Sequence, residues 1–292
     1  MVPRFKDRLL SKEAVFFVCR KRLIQMKEKI RRTEIMKKIL MVLMLMLVGV
    51  VGCGQQGISI EDIEKEGTLL VGLSGDYPPF EFYKMMNGKE TLVGFDVMLA
   101  EKIAEELGVE VEFKNMDFNS LIGALQSGQV DMVISGMSPN EQRLKQVDFS
   151  DFYYTGGNAV LVREEDADKY QTDADLKDIK IGTQLGSIQT PIAEEYTSNI
   201  KELTSTQAIV LELSNGNVDA VMIGKDIADR YAKEFDNVIV SNITIAANEG
   251  MAVALPKGSD ELTAKVNEVI AKLRADGTIG EMLEEAMKIA NE

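Results

Sequence analysis

The stretch LQSGQVDMV at 125–133 recurs as LSNGNVDAV at 213–221. Each copy places a glycine that can end a helix before a short apolar run around an aspartate, which is typical of a helix, a turn and a buried strand. A looser repeat precedes each copy, VGLSG at Val71–Gly75 and IGTQLG at Ile181–Gly186. Because two phrases recur in the same order, we interpret the chain as two similar α/β lobes.

Further elements extend this alternation around the first copy. Leu69–Gly72 is mostly apolar and predicts a buried strand. Asp96 is predicted to cap a helix that ends at Gly108 and carries its apolar residues on one face. Val109–Phe113 alternates with glutamate, which indicates a half-buried strand. Asn119 is predicted to cap the helix that leads into the first copy.

Charge and composition exclude several classes of function. Residues 1–52 hold 13 of the 33 basic residues and 4 of the 47 acidic ones, so the remaining chain carries a net charge of about −23. A body this acidic repels phosphate backbones, so we expect no nucleic-acid partner. The chain has no His, which removes the commonest general base and metal ligand. We therefore expect no metal site, no cofactor and no enzymatic activity.

An uncharged apolar run at Ile39–Val51 follows Lys37-Lys38. It is short for a membrane span and suits the apolar region of a signal peptide. The run ends in Val-Val-Gly-Cys53, which resembles the lipobox of bacterial lipoproteins, whose cysteine is lipidated. The resemblance implies an exported protein held on the outer side of the cell membrane through Cys53. An N-terminal transmembrane anchor with an incidental cysteine is the alternative.

The segments before and after this cysteine have separate interpretations. Residues 1–52 are a basic leader followed by the signal peptide, and translation beginning at Met36 would explain why residues 1–35 fit no export signal. An unusually long basic leader is the alternative. Residues 53–57 are interpreted as a short flexible tether, because Gly and Gln follow the cysteine.

The rest of the chain is divided where it is expected to pass between the lobes. Residues 58–154 are the first part of lobe 1, residues 158–247 are lobe 2, and residues 248–292 return to lobe 1. Ligands of open α/β sheets bind beyond the carboxyl ends of the strands. The loops at those ends should therefore face a shared cleft.

Four motifs carry a resemblance to a known family. They are DYPPFEF at Asp76–Phe82, GFDV at Gly94–Val97, FNSL at Phe118–Leu121, and the run from Val130 to Ser150. With them, residues 58–289 resemble the amino-acid-binding proteins of ABC importers, family 3 of the extracellular solute-binding proteins. The resemblance implies a periplasmic-binding-protein-like fold of type II, with a ligand cleft between two lobes joined by a two-segment hinge. It implies a free amino acid as ligand and an ABC transporter permease as partner, and we expect a monomer.

The resemblance also implies where the ligand's carboxylate lies. Arg143 follows the loop that contains Ser135, Gly136 and Ser138. A guanidinium can pair bidentately with a carboxylate, and neighbouring hydroxyl or amide donors complete the site. A surface arginine paired with Glu141 is the alternative.

Two aromatic residues match family positions whose rings enclose the ligand's side chain. They are Tyr77 and Phe118, and aromatic faces suit both apolar stems and cations. In lobe 2, Gly186, Ser187 and Ile188 match a loop that reaches the carboxylate. Ile188 replaces the usual hydroxyl residue, so only its backbone N–H can serve.

The chain departs from the family at the position that receives the ligand's ammonium group. Gly224 stands where the family usually has an aspartate. Asp226 or Glu249 could supply the acceptor, and we prefer Glu249 because it lies at the expected return between lobes. Ser74 stands where binders of cationic amino acids often carry an acid, which disfavours lysine or arginine as the ligand.

These observations predict a lipid-anchored binding protein that delivers an amino acid to an ABC importer. One alternative is a dehydratase-like enzyme on the same fold, which would need Glu249 or Asp76 as a general acid. Another is a sensory lipoprotein that presents its ligand to a receptor. The sequence does not identify which amino acid is bound.

Overall fold

The computed structural model describes residues 57–245 and 250–292, together with Met26 and Arg31. The predictions for the signal peptide, for Cys53 and for Glu249 concern residues outside this part of the chain. Among the described helices, none is both long enough and apolar enough to span a bilayer.

The described strands, in chain order, are β1 (Thr68–Leu73), β2 (Asp76–Tyr77), β3 (Glu81–Met86), β4 (Lys89–Val93), β5 (Glu110–Asn115), β6 (Met132–Val133), β7 (Val147–Tyr154), β8 (Asn158–Arg163), β9 (Ile181–Gln184), β10 (Ile200–Leu203), β11 (Ala220–Gly224), β12 (Val238–Val240) and β13 (Met251–Pro256). The described α-helices are α1 (Ile60–Glu66), α2 (Phe95–Leu107), α3 (Leu121–Gln126), α4 (Glu141–Leu144), α5 (Gln189–Glu194), α6 (Thr206–Ser214), α7 (Lys225–Glu234), α8 (Asp260–Ala275) and α9 (Thr278–Asn291). Short 3₁₀ turns cover Phe118–Ser120, Glu164–Lys169 and Asp173–Leu176.

Two five-stranded sheets form the two lobes. The first has the order β5-β1-β6-β13-β7 and the second β10-β9-β11-β8-β12. β1 is parallel to both of its neighbours, and so is β9. β13 and β8 run antiparallel to the strands beside them. A small meander of β2, β3 and β4 belongs to neither sheet. The predicted α/β fold with two similar lobes is confirmed.

The chain passes between the two sheets twice. β7 ends at Tyr154 in the first sheet, and β8 begins at Asn158 in the second. The return runs from β12 to β13 and includes residues 246–249, which lie outside the described residues. Two crossings joined to the same pair of sheets are the arrangement of a hinge with two segments.

The repeated phrase of the sequence makes the same contacts in both lobes. The carboxylate of Asp131 accepts the N–H of Leu70 at 2.8 Å, and the N–H of Asp131 donates to the Leu70 carbonyl at 2.8 Å. Asp219 makes the same pair of bonds to Lys180, also at 2.8 Å. Each aspartate thus fixes its strand beside a parallel neighbour, β1 in lobe 1 and β9 in lobe 2.

The glycine in each copy ends the helix before the strand. Gly128 and Gly216 have φ angles of 70° and 75°, in the left-handed region that favours glycine. The chain can therefore turn sharply from α3 to β6 and from α6 to β11. The two units that the sequence repeat predicted therefore share these turns as well as the aspartate bonds.

Helix α2 begins two residues earlier than predicted, and the prediction that Asp96 caps it is wrong. Gly94 is the N-cap, and its φ of 132° lets the backbone approach Phe80 so closely that a Cβ would lie 2.1 Å from the Phe80 carbonyl oxygen. Asp96 is fully buried and accepts the N–H of Gly136 at 2.7 Å and the hydroxyl of Tyr153 at 2.9 Å. Long-range donors therefore take the carboxylate that a local cap would have used. The predicted apolar face of α2 is buried.

Asn119 does not cap the next helix either. It lies inside the 3₁₀ turn Phe118–Ser120, and α3 begins at Leu121 after Ser120. Asn119 instead approaches lobe 2. A Cβ added to Gly186 would lie 3.1 Å from the Cβ of Asn119. This loop is therefore placed by contact between the lobes rather than by the start of the helix.

Apolar cores support the loops that face the other lobe. Leu69 and Val71 of β1 and Leu99 and Ile103 of α2 are fully buried in lobe 1. Burial of each such side chain contributes about 1.5–3 kcal/mol. The strand ends that carry the candidate site are therefore held on rigid sheets.

Candidate ligand-binding site

A cavity between the two lobes collects most of the predicted site residues. It contains about 380 Å³ of space free of atoms, part of which is open to solvent. Its lining consists of Ser74, Tyr77, Glu81, Phe118, Ser135, Gly136, Ser138, Arg143 and Met251 from lobe 1 and Gln184, Ser187, Ile188 and Gln189 from lobe 2. Nine of the twelve predicted ligand-binding residues are in this set. Several follow the carboxyl ends of parallel strands, where the fold predicts a cleft.

Arg143 is the main cation of the cavity. Asn140 caps the short helix α4, since its side-chain oxygen accepts the N–H of Arg143 at 2.8 Å, and this fixes the start of the side chain. The guanidinium donates to the carbonyl of Ser138 at 2.5 Å and lies 5.3 Å from the ring centre of Phe118. Only 6% of Arg143 is exposed, and no ion pair joins it to a carboxylate of the described residues.

The electrostatic cost of burying the Arg143 guanidinium appears as a lowered pKa. Burial lowers the pKa of Arg143 to about 10, so the side chain stays cationic at neutral pH. A buried cation without an anionic partner is destabilising. An anion that enters the cavity would therefore gain strongly from pairing with Arg143. The alternative pairing with Glu141 is not present.

Arg143 also joins the two lobes. Its second guanidinium nitrogen donates to the carbonyl of Gly186 in lobe 2 at 2.8 Å. Gly186 has a φ of 78°, which favours glycine, and this conformation brings its loop against lobe 1. Gly186 therefore helps to join the lobes, because its carbonyl oxygen accepts the bond from Arg143 and its backbone conformation places the loop against lobe 1.

The neighbouring residues of lobe 2 add polar groups. The hydroxyl of Ser187 is buried and has no hydrogen-bond partner among the described residues. Gln189 donates through its side-chain amide to the side-chain oxygen of Asn158 at 3.0 Å. Ile188 lies between them in the lining. An unpartnered buried hydroxyl in a cavity marks a place where a ligand atom can complete the bonding.

A second polar group lines the cavity around Glu81, which the sequence analysis did not single out. The hydroxyl of Ser135 accepts the N–H of Ser74 at 3.0 Å and donates to one carboxyl oxygen of Glu81 at 2.6 Å. The other oxygen of Glu81 is buried with no N–H or hydroxyl donor facing it among the described residues, and Glu81 shares a side-chain hydrogen bond with the carboxyl group of Asp96. The signal available in the sequence was an acid in the aromatic loop that contains Tyr77.

Glu81 and Asp96 form a buried pair of acids beneath the cavity. Burial raises the pKa of Glu81 well above its ordinary value, and the negative charge of Asp96 raises it further. Burial raises the pKa of Asp96 only to about 6, because the N–H of Gly136 and the hydroxyl of Tyr153 stabilise its charged form. The pair therefore favours one negative charge at neutral pH, with the proton on Glu81.

Tyr77 reaches from lobe 1 to the strand end of lobe 2. Its ring lies against Gly136, where a Cβ would be 2.9 Å from a ring carbon. Its hydroxyl lies against Gly224, where a Cβ would be 2.8 Å away. Burial raises the pKa of Tyr77, while a hydrogen bond to the Gly224 backbone opposes the rise. The glycine at 224 therefore leaves the space that the tyrosine hydroxyl occupies.

Of the two acids proposed for the ammonium group, Asp226 is not in this cavity lining. Asp226 lies on the first turn of α7, accepts the hydroxyl of Tyr154 and lines a separate cavity between α7 and α9. Glu249 is outside the described residues. Within the described part of the chain, no cluster of three acidic, Cys or His residues could hold a metal ion.

Comparison with known proteins gives one consistent picture. The profile of the bacterial extracellular solute-binding proteins, family 3, matches residues 69–288. The arginine-binding extracellular protein ArtP of Bacillus subtilis is 38% identical over 252 residues, which cover 84% of this chain and 95% of the relative. The L-cystine-binding protein TcyJ of Escherichia coli is 32% identical over 223 residues, 75% of this chain and 82% of the relative.

A solved structure agrees in fold. An amino-acid ABC transporter substrate-binding protein, AbpA, from Streptococcus pneumoniae, bound to L-arginine, superposes with a TM-score of 0.77 at 36% identity. The match covers 80% of this chain and 99% of the other. These similar proteins are described as binding proteins.

Proposed function

This chain belongs to the bacterial extracellular solute-binding proteins of family 3, and from that premise we propose that it captures a basic amino acid outside the cell and delivers it to an ABC importer. Two relatives are named as arginine- and L-cystine-binding proteins, and the similar solved structure is an amino-acid ABC transporter substrate-binding protein. The identity of the ligand, the residues that hold it, the delivery step and the lipid anchor are the parts that we propose.

The observation that carries the proposal is the isolated charge of Arg143. Its guanidinium is buried in the cavity and bonds only carbonyl oxygens among the described residues. A carboxylate placed there would pair with the cation, and the hydroxyl of Ser187 could donate to the same group. The α-carboxylate is the anionic group that all amino acids share.

Substitution of Arg143 tests this site directly. Arg143→Ala should lower the affinity for L-arginine by at least about 2 kcal/mol, or about thirtyfold in Kd, measured by titration calorimetry. Arg143→Lys should recover little, because an ammonium cannot present the planar fork. An unchanged Kd in Arg143→Ala would refute the site while leaving the family assignment intact.

A basic ligand is favoured by the charge at the other polar group of the cavity. Glu81 and Asp96 share one negative charge, and no ion pair joins either acid to Arg143. A molecule with a carboxylate and a separate cation could therefore satisfy both groups at once. The expectation from Ser74 disfavoured such ligands, but Glu81 supplies an acid beside Ser74 from a position seven residues later. Arginine is our first candidate, since one relative is named for it and one solved structure holds it.

The α-ammonium group needs a further acceptor. Because Gly224 has no side chain and Asp226 bonds Tyr154, we retain Glu249 for this role. We also propose that residues 58–154 and 248–292 act as the lobe that stays with the tether, and residues 158–247 as the lobe that closes. A sensory role would instead be indicated if deletion of the protein left amino-acid uptake intact and abolished a signalling response.

A further inference from the structure

Asp76 makes a contact between the lobes that does not pass through the ligand cavity. It lies in β2 between Ser74 and Tyr77, which line the cavity, but is not itself part of the lining. One oxygen of its carboxylate accepts the backbone N–H of Thr206 in lobe 2 at 2.8 Å. The other accepts the hydroxyl of Ser74 at 3.1 Å.

The partner of Asp76 is the start of a regular helix. Thr206 is the first residue of α6, which spans nine residues after the N-cap Ser205. First-turn N–H groups have no acceptor within their own helix, and the N-terminal end of a helix favours negative charge. A carboxylate from the other lobe therefore satisfies a donor that would otherwise need water.

Tyr231 adds a second contact to the same place. Its hydroxyl, on α7 of lobe 2, lies 3.4 Å from the carbonyl oxygen of Asp76 and can donate to it. The side chain and the backbone of Asp76 thus both face lobe 2. Neither contact involves a residue that lines the cavity, whereas Arg143, which also joins the lobes, does line it.

We propose that Asp76 and the first turn of α6 form a latch that holds the two lobes together whether or not the cavity is filled. Asp76 is then a positioning residue: it sets how often the empty lobes close and orients the Ser74 hydroxyl at one end of the cavity. Apparent affinity depends on the fraction of binding-competent molecules, so the latch raises the affinity for every ligand by one common factor.

Two variants remove the latch from opposite sides. Asp76→Ala deletes the acceptor in lobe 1. Thr206→Pro deletes the Thr206 N–H in lobe 2 and leaves the bond from the Ser205 side chain to Asp76, and proline is well tolerated at the first position of a helix. Ser205 before it has φ −97° and ψ 128°, which is compatible with a following proline. The Thr206 hydroxyl has no hydrogen-bond partner among the described residues, so little else is lost.

The readout is amide hydrogen exchange in the full-length chain without ligand. Segment 186–189 lies against lobe 1, so its exchange reports lobe opening. Each single variant should exchange there about fivefold faster or more, and the double variant should be no faster than Asp76→Ala alone. Strand amides in 220–223 serve as the folding control and should not change.

Three results would overturn the proposal. Segment 186–189 could exchange equally in the wild type and in both single variants. The effects of the two substitutions could instead multiply in the double variant, which would show that they act independently. Faster exchange confined to α6 would show that Asp76 only stabilises that helix. Because no ligand is present, a failure here is distinguishable from a failure of the arginine assignment.

Discussion

Glu81 is held by the hydroxyl of Ser135 and by a hydrogen bond to Asp96, and no cation pairs with it among the described residues, so its charge state depends on what enters the cavity. If Glu81 receives the guanidinium of arginine, Glu81→Gln should raise the Kd for L-arginine by about tenfold or more. The reason is that hydrogen bonds to charged groups contribute about 1.5–3 kcal/mol. The affinity for L-citrulline, whose side chain ends in a neutral group, should change little in Glu81→Gln. Titration calorimetry with both ligands measures the difference.

Asp226→Asn is the matched control for that experiment. Asp226 is another acid close to the lobe boundary, but it lies outside the cavity lining. Its replacement should leave the ratio of the two affinities unchanged. Equal losses of L-arginine and L-citrulline in Glu81→Gln would mean that Glu81 only supports Ser135.

Proton release provides a second measurement on the same acid. In the empty cavity the pKa of Glu81 is raised, so the group holds a proton. A bound cation lowers that pKa, and the proton leaves on binding. The affinity for L-arginine should therefore rise with pH between the bound and the empty pKa of Glu81, and the heat of binding should depend on the buffer. Glu81→Gln should abolish this dependence, whereas a buffer-independent heat in the wild type would contradict it.

Glu249 has a separate test because the ammonium and the guanidinium are different groups. Glu249→Gln should weaken L-arginine by about tenfold, comparable to the loss of one charge-assisted bond. The 2-hydroxy analogue of arginine lacks the ammonium and should be almost unaffected. If both ligands respond equally, Glu249 does not contact the ammonium. If the analogue binds the wild type best, the substrate class is wrong.

The sequence located the cavity better than it located the acids. Arg143, Tyr77 and the serine loop follow motifs whose spacing sets their position at strand ends. Asp226 is two residues from Gly224 in the chain, but its carboxylate accepts a hydrogen bond from Tyr154. Such an outcome depends on a partner 72 residues away, which local patterns do not reveal. Glu81 was missed for the same reason, since its neighbours Ser135 and Asp96 are distant in sequence.

At the scale of elements, the repeated aspartates make a quantitative prediction. Asp131→Ala leaves the Leu70 N–H without its side-chain acceptor and should cost about 1.5–3 kcal/mol of unfolding free energy. Asp219→Ala should cost less, about 1 kcal/mol, because 38% of the Asp219 side chain is exposed and water can reach its donor. Urea denaturation measures both, and the asparagine variants, which keep an acceptor, should lose less. A larger loss at Asp219 would contradict the ranking.

Element boundaries show where local rules were overruled. The preference of aspartate for helix N-caps predicted Asp96 as the start of α2, but Gly136 and Tyr153 compete for its carboxylate from other parts of the fold. The apolar periodicity of the same helix was reliable, because the face it describes packs on the sheet in any case. Periodicity over several turns therefore predicted more than the identity of one capping residue.

For the whole molecule, the lipid anchor remains a prediction from the lipobox resemblance. Cys53→Ala should release the protein into the medium or leave it unprocessed, as seen by fractionation and intact mass. The acyl chains contribute about 0.8 kcal/mol per buried CH₂, so several chains on one cysteine hold firmly. Cys53→Ala should leave amino-acid binding unchanged. Wild-type protein of full precursor mass in the membrane would contradict the prediction.

The point where the described body begins has a mechanical consequence. The N–H of Ile58 donates to the hydroxyl of Ser259 at 3.0 Å, and Gly57 packs so closely on Gly258 that no side chain would fit. A force applied to the chain through the predicted tether, residues 53–57, would therefore act on lobe 1 beside the start of α8. With the predicted lipid anchor at Cys53, tension from the membrane would act on lobe 1 at a point away from the residues that line the cavity.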